Sequence, residues 1–171
     1  PKVEDVPKSM GFQTPDKLTN RSVRFYHLIN QYDKLSYEDF KTIKYDRAYH
    51  KPLEATPKLE LIFELNERKY PDIEESITLL KNWDRICDAD SEAASIFILC
   101  WGHLWAKIRS ADAFRTGDLL KEQILVEAIR DAQKHLIKHF DSAKVPLEKL
   151  QRHTRQNVDL PITGGPDVLA A

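Results

Sequence analysis

His135 and His139 stand four residues apart. On a helix their imidazoles share one face and could begin a metal site. Asp131, one turn earlier, is the third ligand such a site would use, and no glutamate follows His135. The competing reading is electrostatic, because histidines near the end of a helix interact well with its negative pole. Trp101 and Trp105 have the same spacing and flank Gly102 and His103. They read either as an aromatic platform or as core packing, with the glycine admitting a neighbouring helix. Arg21 is the third candidate. An arginine in the first turn of a helix is mildly unfavourable, since the dipole already places positive charge there. Either an acceptor lies beside it or it simply faces solvent.

The remaining patterns carry less chemistry. Asn20-Arg21-Ser22 satisfies the glycosylation rule, a short pattern that arises often by chance. Lys34, Lys41, Lys44 and Arg47 are offset by Asp33, Glu38, Asp39 and Asp46, so the stretch reads as a solvated face. No glycine-rich phosphate loop, zinc pattern or nucleophile elbow is present. Cys87 and Cys100 read as two buried thiols in helices, with a disulfide between them geometrically conceivable.

The elements that hold these residues are helical. Only five glycines stand against 26 Lys plus Arg and 27 Asp plus Glu, which disfavours many short strands and tight turns. A hydrophobic fraction of 42% in 171 residues supports one folded domain with a real core. The net charge of -1 gives no reason to expect nucleic acid or an anionic membrane as partner. The longest apolar run, within Ile96–Trp101, is far short of the roughly 20 residues that span a bilayer. Pro1-Lys2-Val3-Glu4-Asp5 has no apolar core of a signal peptide. A chain opening on Pro1 fits a piece of a longer protein at least as well as a complete one.

The periodicity predicts an all-α, irregular multi-helix bundle with extended N- and C-terminal arms. Residues 1–18 form an irregular arm, 19–153 the helical domain and 154–171 an extended tail. The first helix starts at Thr19 or Asn20. Ser36 to Asp39 is a capping box that opens a short helix to about Tyr45. Pro57 follows a Thr56 cap, and Leu59, Ile62 and Phe63 repeat at helical spacing. Another helix runs from about Asp72, with Ile73, Ile77, Leu80 and Trp83 on one side. Ala93 to Arg109 is the central helix. Thr116 or Asp118 caps a long last helix to about His139. A short turn follows at Pro146–Leu150.

The stretch Gly11 to Arg24, which includes Thr19-Asn20-Arg21-Ser22-Val23-Arg24, is similar to a segment of the family that contains penicillin acylases and acyl-homoserine-lactone acylases. The similarity continues through Leu35–Phe40, Ile43–Asp46 and Tyr49, then Leu80–Asp84 and Ser91–Ala94. It closes with Leu160-Pro161-Ile162-Thr163-Gly164-Gly165-Pro166-Asp167-Val168-Leu169. Order and spacing carry the resemblance over nearly the whole chain. It implies an internal helical piece of the large chain of an αββα N-terminal-nucleophile hydrolase. In that family a precursor cleaves itself and exposes a serine that attacks an amide, with its own amine as base. The resemblance places the serine and the oxyanion-binding asparagine outside this chain. It implies that Arg21 supports that asparagine, while Asn20 and Arg24 serve packing and capping.

Several expectations follow from the resemblance alone. The parent would be a periplasmic hydrolase acting on a beta-lactam nucleus, a homoserine lactone or a related acylated amine. Its partners would be the rest of the large chain, the small chain and the N-acyl amide substrate. The fragment itself would be inactive and without a cofactor, with calcium expected only in the parent. The residues by themselves leave a second reading open, a non-enzymatic helical interaction module with an exposed apolar groove. A two-histidine metal protein is a third.

Overall fold

The computed structural model describes residues 19–167. The arm expected over residues 1–18, and Val168 and Leu169 of the closing motif, lie outside the described residues. Within them the fold is predominantly helical, with one two-stranded antiparallel sheet.

Local chemistry sets the first two helices. Helix α1, Asn20–Ile29, starts where Thr19 turns its hydroxyl to accept from the Ser22 amide at 3.2 Å. Helix α2, Tyr37–Lys44, opens on the expected capping box. Ser36 Oγ accepts from Asp39 N at 3.1 Å, and Ser36 N donates to Asp39 Oδ2 at 3.0 Å. The Ser36 hydroxyl, which donates to Asp39 Oδ2 at 2.6 Å, and then the Ser36 amide hold the Asp39 carboxyl below its ordinary value. Because the folded pKa is depressed, this support is present above the ordinary aspartate pKa and is lost as pH falls through the lowered one. Amide protection in α2, measured relative to intrinsic exchange rates, should therefore fall in acid, and Ser36→Ala should weaken that pH dependence, leaving the share carried by the backbone amide. An unchanged acid response in the variant would contradict the capping role.

Thr56 behaves differently from a helix cap. Its hydroxyl is taken by a distant side chain, Asn20, and the Pro57–Phe63 segment winds as a 3-10 helix with no side-chain cap. Two further 3-10 turns, Glu67–Lys69 and Pro71–Ile73, lead into α3, Glu74–Lys81. Trp83 lies just past the end of α3, still buried, and donates its indole N–H to Ile86 O at 2.9 Å.

Helix α4, Glu92–Ile108, is the centre of the fold, capped by Ser91. It packs along α6, Glu122–Phe140, and against α3. Ile96, Phe97, Cys100 and Leu104 of α4 share one buried core with Leu125, Ile129, Ala132 and Leu136 of α6. Full burial of each large aliphatic or Phe side chain contributes roughly 1.5–3 kcal/mol.

The long last helix does not begin at Thr116 or Asp118. A separate helix α5, Ala111–Thr116, ends on Gly117 at φ 72, a left-handed conformation suited to glycine. Leu120 then inserts into the core, and α6 begins at Glu122 without a side-chain cap. A one-turn helix α7, Leu147–Leu150, follows. The C-terminal stretch is extended, but as a hairpin first. Strand β1, Arg152–Arg155, pairs antiparallel with β2, Val158–Pro161, across a turn opened by Gln156 at φ 53. No helix of the described residues is long and apolar enough to cross a membrane.

Candidate functional site

A backbone junction ties the ends of the described chain together. Residues 47–49 run antiparallel to 85–87: Tyr49 N donates to Arg85 O at 2.9 Å and Cys87 N to Arg47 O at 3.1 Å. The returning C-terminal segment joins the other side, with Gly164 N donating to Cys87 O at 2.9 Å. Tyr49 Oη then donates to Pro166 O at 2.7 Å, and Gln151 Nε2 to Gly164 O at 2.8 Å. Thr163 to Asp167 is thus held beside α1 and α2, although more than a hundred residues separate them in sequence.

In front of this junction lies a cleft of about 1180 Å³. One wall is α1 with Arg21, Arg24, Phe25 and Leu28; a second is Phe40 to Tyr49. The third combines Ile98, Trp101 and Trp105 of α4 with Ile162 to Asp167. The walls are largely apolar, with charges at defined places. Arg24 makes a fork with Asp46, Nε to Oδ2 and Nη2 to Oδ1, both at 2.9 Å. Asp46 holds the Arg24 guanidinium above its already high ordinary value, against the cost of partial burial. Asn20 is buried, its Nδ2 donating to Thr56 Oγ1 at 2.7 Å and its Oδ1 accepting from Ala55 N at 2.9 Å. Both ends of that carboxamide are occupied, so the glycosylation reading of Asn20 is excluded in this fold.

Arg21 differs from both neighbours. It is exposed, lines the cleft, and meets no hydrogen-bond acceptor or carboxylate among the described residues. A guanidinium presented this way keeps its five donors available to a group that enters the cleft.

The aromatic pair of α4 belongs to packing. Trp101 and Trp105 ring centroids lie 5.7 Å apart, and both rest on Phe114, at 4.6 and 5.6 Å. Gly102 meets nothing within 4 Å of where a Cβ would stand, so among the described residues no helix approaches closely there, contrary to expectation. His135 and His139 share a face, with centroids 4.6 Å apart. Asp131 is turned to Lys107, at 3.9 Å, and no group of three or more potential ligands among the described residues is placed to hold a metal ion. Desolvation, then the nearby His139, His103 and Lys138, lowers the His135 pKa and keeps that ring neutral more readily.

Cys87 and Cys100 are free buried thiols. Cys100 sits in α4, whereas Cys87 lies in the junction rather than in a helix. Burial pushes the Cys87 thiol up to about 12, so it is no thiolate nucleophile at neutral pH. Burial likewise pushes the Tyr49 phenol upward, which keeps its hydroxyl a donor. In the basic stretch, Arg47 pairs with Asp88 at 2.9 Å and Lys41 with Glu38 at 3.2 Å, a partly different set of partners from those nearest in sequence.

The cleft brings together Arg21, Arg24, Asp46, Tyr49 and the Gly164-Gly165-Pro166 segment. Three of the stretches that carry the resemblance, around Arg21–Arg24, Phe40–Tyr49 and Ile162–Asp167, therefore meet at this cleft, whereas Asn82–Asp84 and Ser91–Ala93 line a separate surface. The sequence model described as Penicillin amidase matches residues 3–171. No curated protein matches the chain. The family match over nearly the full length shows that the chain belongs to the penicillin amidase family.

Proposed function

We propose that the chain is the helical part of the large chain of a self-processing N-acyl amide hydrolase, and that Arg21 orders the oxyanion-binding asparagine of that enzyme. Membership of the penicillin amidase family implies a parent that hydrolyses N-acyl amides. The observation that carries the finer reading is the contrast within one turn of α1. Asn20 and Arg24 are both committed to internal partners, while Arg21 between them is exposed on the cleft and meets no acceptor among the described residues.

The chemistry is then divided. A terminal serine, supplied from outside this chain, attacks the amide carbonyl, with its own amine taking the proton. The negative charge that develops on the carbonyl oxygen is met by a backbone N–H and the asparagine carboxamide. Arg21 donates from its rigid fork to the carboxamide oxygen, holding the amide N–H groups toward the substrate, and its charge favours the oxyanion. The helices fix the guanidinium and shape one wall of the cleft. On this reading the parent is periplasmic, the small chain and the rest of the large chain are the partners, any calcium is bound elsewhere in the parent, and the isolated helical part is inactive.

The test is turnover of a chromogenic N-acyl amide by the full-length, processed protein. Arg21→Ala is expected to lower kcat/KM by about 10–100-fold, or about 1–3 kcal/mol, mostly in kcat. Arg21→Lys should recover only part of it, because an ammonium lacks the planar fork. Wild-type rates in Arg21→Ala would remove the assigned role.

A further inference from the structure

We infer that Asn20 is a positioning residue for Arg21, an inference that rests on the site role proposed for Arg21 above. The buried residue of α1 is a polar one: Asn20, the first residue of the helix, is 1% exposed. A surface helix ordinarily docks through an apolar stripe. Here Phe25 and Tyr26 stand in the open, Val23, Leu28 and Ile29 are only half-buried, and the specific ties of α1 are polar clamps. At one end the Asn20 carboxamide bridges Thr56 Oγ1 and Ala55 N at 2.7 and 2.9 Å. One turn later Arg24 forks onto Asp46.

Arg21 lies between the two clamps, next to one and three residues before the other. Hydrogen bonds are directional, so this pair fixes the rotation of α1 about its own axis, which an apolar face does only loosely. A slip of one residue would turn the helix by about 100° and carry Arg21 away from the cleft. Thr56 is correspondingly withdrawn from capping the segment that follows it and has no exposure at all. Its buried hydroxyl serves as the fixed point to which the start of α1 is referenced.

The test is a double-mutant cycle on the full-length, processed protein with a chromogenic N-acyl amide. Asn20→Ala is expected to lower kcat about tenfold with KM little changed, as a small misplacement of an active-site group does. In an Arg21→Ala background the same substitution should have no further effect on kcat. Thr56→Val, which removes the hydroxyl and keeps the carboxamide, should reproduce the pattern, and it carries the cycle if Asn20→Ala does not accumulate as folded protein. Ser76→Ala breaks a 2.6 Å hydrogen bond to Gln133 away from the cleft and should lower stability without lowering kcat. Additive losses for Asn20→Ala and Arg21→Ala would overturn the positioning role and leave the role of Arg21 intact. Wild-type kcat in Arg21→Ala would overturn both.

Discussion

Glu60→Ala is expected to destabilise the protein by about 3–5 kcal/mol, the usual result of stranding a buried charge. Arg85 is only 4% exposed, and Glu60 answers its guanidinium twice, at 2.9 and 3.3 Å. Glu60 Oε1 also accepts from Leu53 N at 2.7 Å, so one carboxylate satisfies both a buried cation and a buried amide. The guanidinium lies over the Phe63 ring at 3.3 Å, which leaves it little room to reach water. Arg85 in turn supplies the carbonyl that receives Tyr49 N, so disturbance there spreads into the junction behind the cleft. Denaturant unfolding checks the figure. Glu60→Ala combined with Arg85→Met should be more stable than Glu60→Ala alone, because the stranded charge is gone. A loss of less than about 1 kcal/mol for Glu60→Ala would show that water reaches the guanidinium after all.

The second large effect is expected at Gly165. A Cβ there would overlap Tyr49 Oη, with Tyr49 Cζ at 3.0 Å and Cys87 Sγ at 3.1 Å. Tyr49 cannot retreat easily, since its ring packs against Phe97 and Trp83 at 5.2 and 5.9 Å. Overpacking and the loss of the Tyr49–Pro166 hydrogen bond should together cost about 2–4 kcal/mol in Gly165→Ala. The returning segment should also show faster amide exchange at Gly164, whose N–H is bonded to Cys87 O. Tyr49→Phe removes only the hydroxyl, so Tyr49→Phe with Gly165→Ala should regain part of the loss. Full stability in Gly165→Ala would mean that the junction yields and does not fix the cleft.

The legible features of this chain were those encoded within a few residues. Thr19 before α1 and the Ser36–Asp39 box before α2 are local signals, and those helices start where the signals stand. What escaped depended on partners distant in sequence. Thr56 reads as a cap until Asn20, 36 residues earlier, takes its hydroxyl. The break at Gly117 competes with good helix formers on both sides, and a left-handed glycine ended the helix. The hairpin had a signal, the alternation of Val158, Leu160 and Ile162, but it spans few residues and lies among prolines. In the cleft, Arg21 could be singled out because its place at a helix start is electrostatically odd. The roles of Asp46, Thr56 and Gly165 could not be read, because each is defined by a contact across the fold.

The central claim is that the guanidinium of Arg21 serves a neighbour lying outside this chain. A crystal structure of the full-length, processed protein measures this directly. The account predicts Arg21 Nη within hydrogen-bond distance, about 2.7–3.2 Å, of an asparagine carboxamide oxygen next to the terminal serine. An Arg21 side chain still turned to solvent there, with that asparagine held by other groups, would contradict it.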